Sequence, residues 1–335
     1  MKPVRCFWKR NAILVCCLII SIWFIYNKSN RSSVRNEFHS GLSNPGDIRY
    51  LINNKHVCHD YRSVFCIILV SSDITHFNRR VELRSTWLKS NNYRPKNVQV
   101  VYLTGSIDDK NVQNKLMLES QTYSDIIQGD FIDSYQNSTY KGVLGFKWVS
   151  EHCRNANIVI KTHDNVVINL FLFFEKFAMH MNDRELLGKY IRSNEIVRVK
   201  GSQYYVPTRY LKGMIYYPLP YLSGLAVILP GKLIPLYFNA SITSEYFPIE
   251  DFFLFGILTA KINHDFSDTS KLKYRDLTKF ITSDERYWKH CYLSLKGNCN
   301  LLIVYQELHR LDTESVWNVI IKNRIQSASG HFDME

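Results

Sequence analysis

The sequence predicts an α/β protein whose central sheet is mostly parallel and carries helices on both faces. Apolar runs of strand length alternate along the chain with longer segments of helical periodicity, as expected where crossover helices join parallel strands. Residues 64–70 are continuously apolar, which is typical of a strand buried on both faces. Residues 158–169 begin as a second such strand, which the polar triplet His163, Asp164 and Asn165 then interrupts.

The other elements are assigned in order from their apolar patterns. The first helix, 78–90, is expected to turn Val81, Leu83 and Trp87 inward, and a second helix, 109–123, carries Leu116, Met117 and Leu118. The further strands predicted are 98–103, a short one that begins at residue 125, 225–229 and 301–305. The further helices predicted are 138–152, 171–181, one that follows residue 248 and one around residue 317.

The polar triplet is a candidate ligand site because it follows a strand. In open α/β sheets the carboxyl ends of the strands border the ligand crevice. An imidazole, a carboxylate and an amide placed there can hold a cation, and a cation can hold the phosphates of a nucleotide. An ordinary polar turn is the simpler reading of these three residues alone.

The first 35 residues have the pattern of a membrane anchor. They hold seven basic and no acidic residues, and the almost uncharged run 12–26 lies between the basic groups. Large residues continue after Ser21, where a signal peptide would need a small-residue cleavage site, so an uncleaved anchor is favoured. The basic leading tail places the amino terminus in the cytosol. We expect a cytosolic tail at 1–10, a transmembrane signal anchor at 11–27, a lumenal stem at 28–57 and one domain at 58–335.

Charge outside the anchor is ordinary. The chain has a formal net charge of +12, of which the first 35 residues supply seven, and the remaining +5 is spread over 300 residues without a basic block. A nucleic-acid surface is therefore not expected.

Cysteines and glycosylation sequons agree with a lumenal domain. Cys291 and Cys299 are the favoured disulfide, since Gly297 and Asn298 allow a turn between them, while Cys66 and Cys153 are expected as core thiols. The remaining cysteine of the domain is Cys58. Acceptor sequons stand at Asn27, Asn30, Asn137 and Asn239, of which Asn239 is the expected surface site.

Five segments, in the same order along the chain, carry a family resemblance. The first runs Arg80-Val-Glu-Leu-Arg84-Ser-Thr86-Trp87, and the second spans Glu119 to Lys141 with Tyr123, Asp125, Asp130 and Asp133. The others are Trp148 with Cys153, Ala156 and Lys161, then Tyr221 to Gly224, and Glu250-Asp251-Phe252. Together they resemble glycosyltransferase family 31, the β-1,3-galactosyl- and N-acetylglucosaminyltransferases.

The resemblance implies a type II Golgi membrane enzyme with a GT-A (Rossmann-like) fold. Such an enzyme transfers a hexose from a UDP-sugar to an acceptor hydroxyl, with inversion at the anomeric carbon, and Mn²⁺ stabilises the leaving diphosphate. The resemblance assigns the general base to Asp251. The donor side would include Arg80, Arg84, Asp125, Lys161 and Asp164. Two simpler readings are that one arginine merely pairs with Asp125 or Asp133, and that the acids at 250–251 cap a helix.

The triplet departs from the family pattern Asp-Asp-Asp. Asn165 keeps a carbonyl oxygen without the charge, and His163 ligates Mn²⁺ only when neutral. We therefore expect a weakened metal site formed by His163, Asp164, Asn165 and a late histidine, His309, with Tyr305 as the alternative for that place. Its occupancy is expected to fall as His163 protonates near pH ~6.5.

Two functions remain open at this level. The first is an active transferase that uses UDP-galactose or UDP-N-acetylglucosamine and an acceptor glycan on a glycoprotein or glycolipid. The second is a catalytically silent relative that binds a glycan or a partner transferase. The substituted triplet favours the second, whereas Glu250-Asp251 and the Arg80 and Arg84 pair favour the first, because a silent protein has no chemical need of them.

Overall fold

A mixed eight-stranded sheet organises the part of the chain described by the structure, a computed structural model covering residues 44–59, 61–294, 299–305 and 312–329. From one edge to the other, its strands are Tyr50–Asn53 (β1), Ile126–Ile132 (β4), Val98–Ser106 (β3), Val64–Ser71 (β2), Ala156–His163 (β5), Ala226–Pro230 (β10), Glu185–Gly188 (β7) and Lys273–Asp276 (β11). Strands β4, β3, β2 and β5 are mutually parallel, which confirms the predicted parallel core. Strands β1 and β10 pair antiparallel with their neighbours, so the sheet as a whole is mixed.

Helices cover both faces of this sheet. They are Phe77–Ser85 (α1), Lys110–Tyr123 (α2), Ser138–His152 (α3), Leu170–Lys176 (α4), Ile234–Ile242 (α5), Glu250–Phe252 (α6), Leu258–His264 (α7), Glu285–Ser294 (α8) and Thr313–Ser329 (α9). Because side chains alternate along a strand, β2 packs Ile68 against α1 and Ile67 against α3, in two separate apolar cores. The predicted two-sided architecture is therefore present.

One residue predicted to face inward does not. Val81 is 48% exposed, whereas Leu83 and Trp87 are fully buried as predicted. On α2, Leu116 is fully buried, and Met117 and Leu118 are 47% and 63% exposed. A helix buries one stripe, and an apolar residue beside that stripe remains in solvent.

The folded domain begins before the predicted boundary at residue 58. Strand β1 pairs with β4, with Tyr50 opposite Gly129, and Asn53 accepts a hydrogen bond of 3.0 Å from the Trp148 indole. Residues 50–53 thus belong to the sheet and not to a stem at 28–57. The tail at 1–10 and the anchor at 11–27 lie outside the described residues, among which no helix is both long and apolar enough to cross a bilayer.

Two disulfides cross-link the domain. The predicted Cys291–Cys299 bridge is present and Cys66 is a buried free thiol. The prediction for Cys153 was wrong, because it is bonded to Cys58, 95 residues away, with a Cα–Cα distance of 5.3 Å. Sequence spacing cannot reveal a pair that the fold brings together. Asn239 is exposed on α5, as expected for its sequon.

A small second sheet fixes the turn that carries the polar triplet. Its strands are Ile281–Thr282 (β12), Ile303–Tyr305 (β13) and Val166–Ile168 (β6), with β13 between the other two. Strand β6 pairs antiparallel with β13, with Val166 opposite Tyr305. Residues 164 and 165 therefore form a turn that β5 holds from one side and β6 from the other.

Candidate active site

Polar residues gather where β2 and β5 end side by side. Ser71 lies opposite His163 in the parallel pairing of these strands, and Ser72 and Asp164 follow them directly. The site therefore forms at the carboxyl edge of the parallel core, the position expected for a ligand crevice in this fold class.

Asp164 is held on the α1 side of this edge. Its Oδ2 accepts hydrogen bonds from Ser72 Oγ at 2.8 Å and from His76 Nδ1 at 2.7 Å, and Arg79 donates to its backbone oxygen. The hydrogen bond to Asp164 raises the pKa of His76 and outweighs the opposite effect of burial. Sequence reasoning did not identify Ser72 or His76. The polar run that follows the first buried strand was the signal that could have found them.

Arg80 lies behind the crevice instead of facing it. Its side chain is fully buried, and it donates to both carboxylate oxygens of Glu119, at 2.9 and 2.7 Å. It also donates to Ser72 Oγ and to the backbone oxygens of Asp73 and Ile74. Arg80 therefore fixes the loop that presents Ser72 to Asp164, and its contact with the nucleotide stays a prediction.

Arg84 and Asp125 also form a structural pair. Two hydrogen bonds of 2.8 Å join them, Glu119 lies 2.7 Å from the same guanidinium, and the rings of Tyr102 and Tyr123 flank it. They line a cavity of about 340 Å³ to which neither Asp164 nor Asp251 contributes. The structure therefore shows the simple pairing with Asp125 for Arg84, and the donor-side role of both residues stays a prediction.

Lys161 is a buried charge beneath the opposite side of the crevice. Its ammonium donates to Glu250 Oε2 at 2.7 Å and to His163 Nε2 at 3.0 Å, and Lys161 and Glu250 are 0% and 4% exposed. This contact accounts for Glu250 in the first turn of α6, where helix capping was the alternative. Lys161 thus joins the turn at His163 to the helix that carries Asp251.

Burial and positive neighbours lower the pKa of His163. Burial lowers its pKa most, and the charges of Lys161 and Lys141 lower it further, well below its usual range. Lys141 itself is paired with Asp133 at 2.6 Å. His163 therefore does not protonate near pH 6.5, which corrects the expected pH dependence of metal binding.

Asp251 follows Glu250 and presents a partly exposed carboxylate. Burial raises the pKa of this carboxyl, and the opposing effects of the Lys161 charge and of the Gly224 N–H, which donates to it, do not cancel that rise. Burial and then the charge of Asp251 raise the pKa of the Tyr135 phenol. A carboxylate that is desolvated, accessible and only lightly hydrogen-bonded suits proton abstraction.

The turn and the acid share one edge of the sheet. His163, Glu250 and Asp251 each offer one potential metal-ligand atom, and these three atoms lie within 4.8 Å of one another. Asp164 is adjacent to His163 in the chain, and its side chain faces α1 instead. Asp251 therefore lies near the turn that carries Asp164, and the roles predicted for these two acids stay predictions.

The side-chain oxygens of Asp164 and Asn165 suit a divalent cation better than the imidazole of His163 does. Asp164 supplies a carboxylate and Asn165 a carbonyl oxygen, both hard ligands of the type that Mn²⁺ accepts. His163 Nε2 already accepts from Lys161, and an ion at this nitrogen would meet an ammonium group about 3 Å away. His309 lies outside the residues that the structure describes.

Comparison with known proteins identifies the class. The sequence model of the galactosyltransferase family matches residues 78–269. The chain is 28% identical over 281 residues to mouse beta-1,3-galactosyltransferase 1, covering 82% of this chain and 79% of that protein. It is 30% identical over 265 residues to zebrafish lactosylceramide 1,3-N-acetyl-beta-D-glucosaminyltransferase B, covering 74% of this chain and 68% of that protein.

Two further proteins are similar to this chain. Mouse UDP-GlcNAc:betaGal beta-1,3-N-acetylglucosaminyltransferase 7 is 31% identical over 212 residues, which are 61% of this chain and 52% of that protein. The crystal structure of the galactosyltransferase LgtC with donor and acceptor sugar analogues matches with a TM-score of 0.38 and 9% identity, over 77% of this chain and 96% of that one.

An acid and a polar turn at the carboxyl edge of an α/β sheet, in a chain with these relatives, define a hexosyltransferase. The chain belongs to the galactosyltransferase family, glycosyltransferase family 31, as its motifs predicted.

Proposed function

We propose that this enzyme transfers galactose or N-acetylglucosamine from a UDP-sugar to a glycan hydroxyl in β-1,3 linkage, with inversion, in a GT-A type site. The observation that carries the proposal is the carboxylate of Asp251, desolvated yet accessible and fixed near the turn that holds Asp164. The names of the relatives agree on the linkage and differ on the sugar.

Asp251 acts as the general base. It accepts the proton of the acceptor hydroxyl while that oxygen forms a bond to the anomeric carbon of the donor sugar. The bond from that carbon to the phosphate oxygen breaks on the opposite face, and UDP leaves with the electron pair. Burial raises the pKa of Asp251, and the positive charge of Lys161, which also pairs with the neighbouring Glu250, opposes that rise and so favours the ionised form.

The donor diphosphate lies on the α1 side of the turn. Asp164 and Asn165 would hold Mn²⁺ there, and a bound ion supplies positive charge to the leaving diphosphate. Arg79 supplies a positive charge on the same side, next to Asp164, and the hydrogen bond to Asp164 raises the pKa of His76, which favours its imidazolium form. Both residues therefore attract a phosphate group and hold it in position.

Replacing Asp251 tests the assignment. Asp251→Asn keeps the size of the side chain and removes the base, so we expect UDP release to fall by about 10²–10⁴-fold with either donor sugar. Asp265→Asn, an exposed acid on the same segment, is the matched control and should retain full turnover. If the Asp251→Asn variant folds normally and keeps the full rate, the assignment of Asp251 as the base is refuted. If the wild-type chain shows no turnover, the catalytically silent relative is favoured.

Residues 11–27 would anchor the enzyme in the Golgi membrane with the domain in the lumen. This part of the proposal is supported by the basic and apolar pattern of the first 35 residues. Protease protection of the domain in intact Golgi vesicles, lost on adding detergent, is the expected result. Cleavage without detergent would place the domain in the cytosol.

A further inference from the structure

The cavity lined by Arg84 and Asp125 lies away from the crevice, against the amino ends of the parallel strands. Gln99 lines it from the start of β3, and Asp125 is the residue before β4. Leu103, which lies opposite Ser71 at the crevice, is four residues further along β3 than Gln99, a distance of about 13 Å along an extended strand. The cavity and the crevice are therefore at opposite edges of the sheet.

The acceptor side of the crevice is equally separate from this cavity. The strands Tyr190–Ile191 (β8) and Tyr221–Leu222 (β9) pair with each other, and β9 ends two residues before Gly224, whose N–H donates to Asp251. Neither strand contributes a residue to the wall of the cavity. A ligand bound there would not take the place of an acceptor next to Asp251.

Two aromatic rings of the cavity are accessible, and one of them stands on a fixed segment. Tyr61 is 44% exposed, and Tyr123, at the end of α2, is 45% exposed. The segment that ends at Tyr61 is cross-linked by the Cys58–Cys153 disulfide. The side-chain amide of Asn155 also donates to the backbone oxygens of Cys58 and Tyr61, at 3.2 and 2.8 Å. This wall is therefore formed before any ligand arrives.

The charged groups in the wall compensate each other. Arg84 donates to both carboxylate oxygens of Asp125, and Glu119 lies 2.7 Å from the same guanidinium. Since this guanidinium already meets two carboxylates, it offers little attraction to an anion such as a nucleotide. Gln99 adds an uncharged amide, and the buried phenol oxygen of Tyr102 has no hydrogen-bond partner among the described residues. The cavity therefore suits a neutral ligand that carries hydroxyl groups.

A sugar ring combines the properties that this wall requires. One face of a pyranose presents C–H groups that pack on an aromatic ring, and its hydroxyls pair with amide, phenol and carboxylate groups. The volume of about 340 Å³ falls in the range of small-ligand pockets, ~300–1,000 Å³. We propose that this cavity binds a neutral sugar unit of a glycan, at a second site that takes no part in the chemistry. The site goes beyond the proposed function, because it would hold a glycan whether or not the chain transfers sugar.

Photo-crosslinking with a lactoside that carries a diazirine tests the proposal without relying on turnover. The full chain in phosphatidylcholine nanodiscs is irradiated with this probe, and the labelled peptides are identified by mass spectrometry. We expect label on peptides covering residues 56–61 and 123–125, lost on adding free lactose and kept on adding sorbitol, a polyol without a ring. Label at the crevice is read on separate peptides, so an inactive enzyme does not affect the result.

Matched variants test the contacts, with the label on residues 123–125 as the readout. Tyr61→Ala should raise the lactose concentration that removes half of this label by about twofold to tenfold, the loss of one aromatic contact. Gln99→Leu keeps the size of the side chain and should have an effect of similar size through lost hydrogen bonds. Tyr287→Ala, at a tyrosine on α8 that is 52% exposed and does not line the cavity, is the control and should change nothing.

Four results would overturn the proposal. Three are the absence of label from the cavity peptides, competition by sorbitol as effective as that by lactose, and a loss in Tyr287→Ala equal to that in Tyr61→Ala. The fourth is removal of the cavity label by UDP with no effect of lactose. It would assign the cavity to the donor nucleotide, as the donor-side prediction for Arg84 and Asp125 requires.

Discussion

Two buried clusters of opposite charges lie on opposite faces of the sheet, and they differ in their balance. On the α1 face, two guanidiniums, Arg80 and Arg84, meet the two carboxylates Glu119 and Asp125. On the α6 face, the ammonium of Lys161 pairs with Glu250, and its charge also acts on the neighbouring Asp251. The first cluster is compensated and the second has a surplus of one carboxylate.

This difference distinguishes a cluster that stabilises the fold from one that holds the proposed general base. Desolvation raises the energy of any buried ion, and a complete set of partners offsets that cost without leaving a reactive group. Beside Lys161, burial raises the pKa of Asp251, and the charge of this single ammonium opposes the rise without cancelling it. Both clusters follow from family motifs in the sequence, and the sequence alone did not show which of them faces the crevice.

The largest expected effect comes from removing Lys161. Lys161→Met should destabilise the fold by about 3–5 kcal/mol, because it leaves buried carboxylates without their cation. It should also raise the pKa of Asp251 further, so the acidic limb of the rate profile moves to higher pH. Urea unfolding and the pH profile of UDP release measure the two effects.

Arg84→Met is the matched comparator for Lys161→Met. We expect a stability loss of similar size, about 3–5 kcal/mol, since Asp125 loses its partner. The acidic limb of the rate profile should stay in place, because Arg84 does not contact Asp251. If this limb moved as far as in Lys161→Met, the division between a structural and a catalytic cluster would be wrong.

A smaller effect is expected from Gly224→Ala, on the catalytic side of the comparison. The added Cβ would collide with Asp251 Oδ1, so the carboxylate must move. We expect kcat to fall by about tenfold to a hundredfold from this displacement, with a stability loss of about 1–3 kcal/mol. Gly188→Ala, whose Cβ would lie 3.1 Å from the Ala226 oxygen, should lower stability without changing kcat.

The smallest expected effect is the pH dependence of the folding stability that Glu119 contributes in the compensated cluster. Burial by itself raises the pKa of Glu119, but the hydrogen bonds and charges of Arg80 and Arg84 outweigh it and lower the pKa overall. The stabilisation is therefore present above the unfolded pKa and is lost as pH falls through the depressed folded value. Glu119→Gln should be less stable than wild type by about 1–2 kcal/mol at pH 7.

The stability difference between wild type and Glu119→Gln should close as the solution is acidified. Thermal unfolding at a series of pH values from neutral to acidic measures it. A difference that stayed constant over this range would mean that the ionised carboxylate of Glu119 does not contribute.

Local pattern was sufficient for much of the fold. The predicted helix 138–152 has the observed bounds, and the strands around residues 64–70 and 98–103 are present with small extensions. Strand β1 was missed because four residues carry little periodic signal. The antiparallel direction of β10 was missed because an apolar run does not encode the direction in which its strand pairs.

The sequence predicted which acids belong to the candidate site better than it predicted how the residues of the site contact one another. Asp251 and Asp164 were found from motif segments, and the structure places both at one edge of the sheet. The contact of His76 with Asp164 was not found, because it joins residues 88 positions apart and no local pattern marks it. The burial of Arg80 behind the crevice was equally hidden, whereas the pairing of Arg84 with Asp125 was one of the readings that the sequence allowed.

The sequence by itself determined the alternation of strands and helices, the family and the substituted triplet, because each is read from neighbouring residues or short motifs. Only the tertiary structure decided which charges are paired, such as Lys161 with Glu250 across 89 residues, and which acid remains partly exposed. Charge compensation depends on distance in space and on exclusion of water. Both arise when segments far apart in the chain pack together, so neither can be read along it.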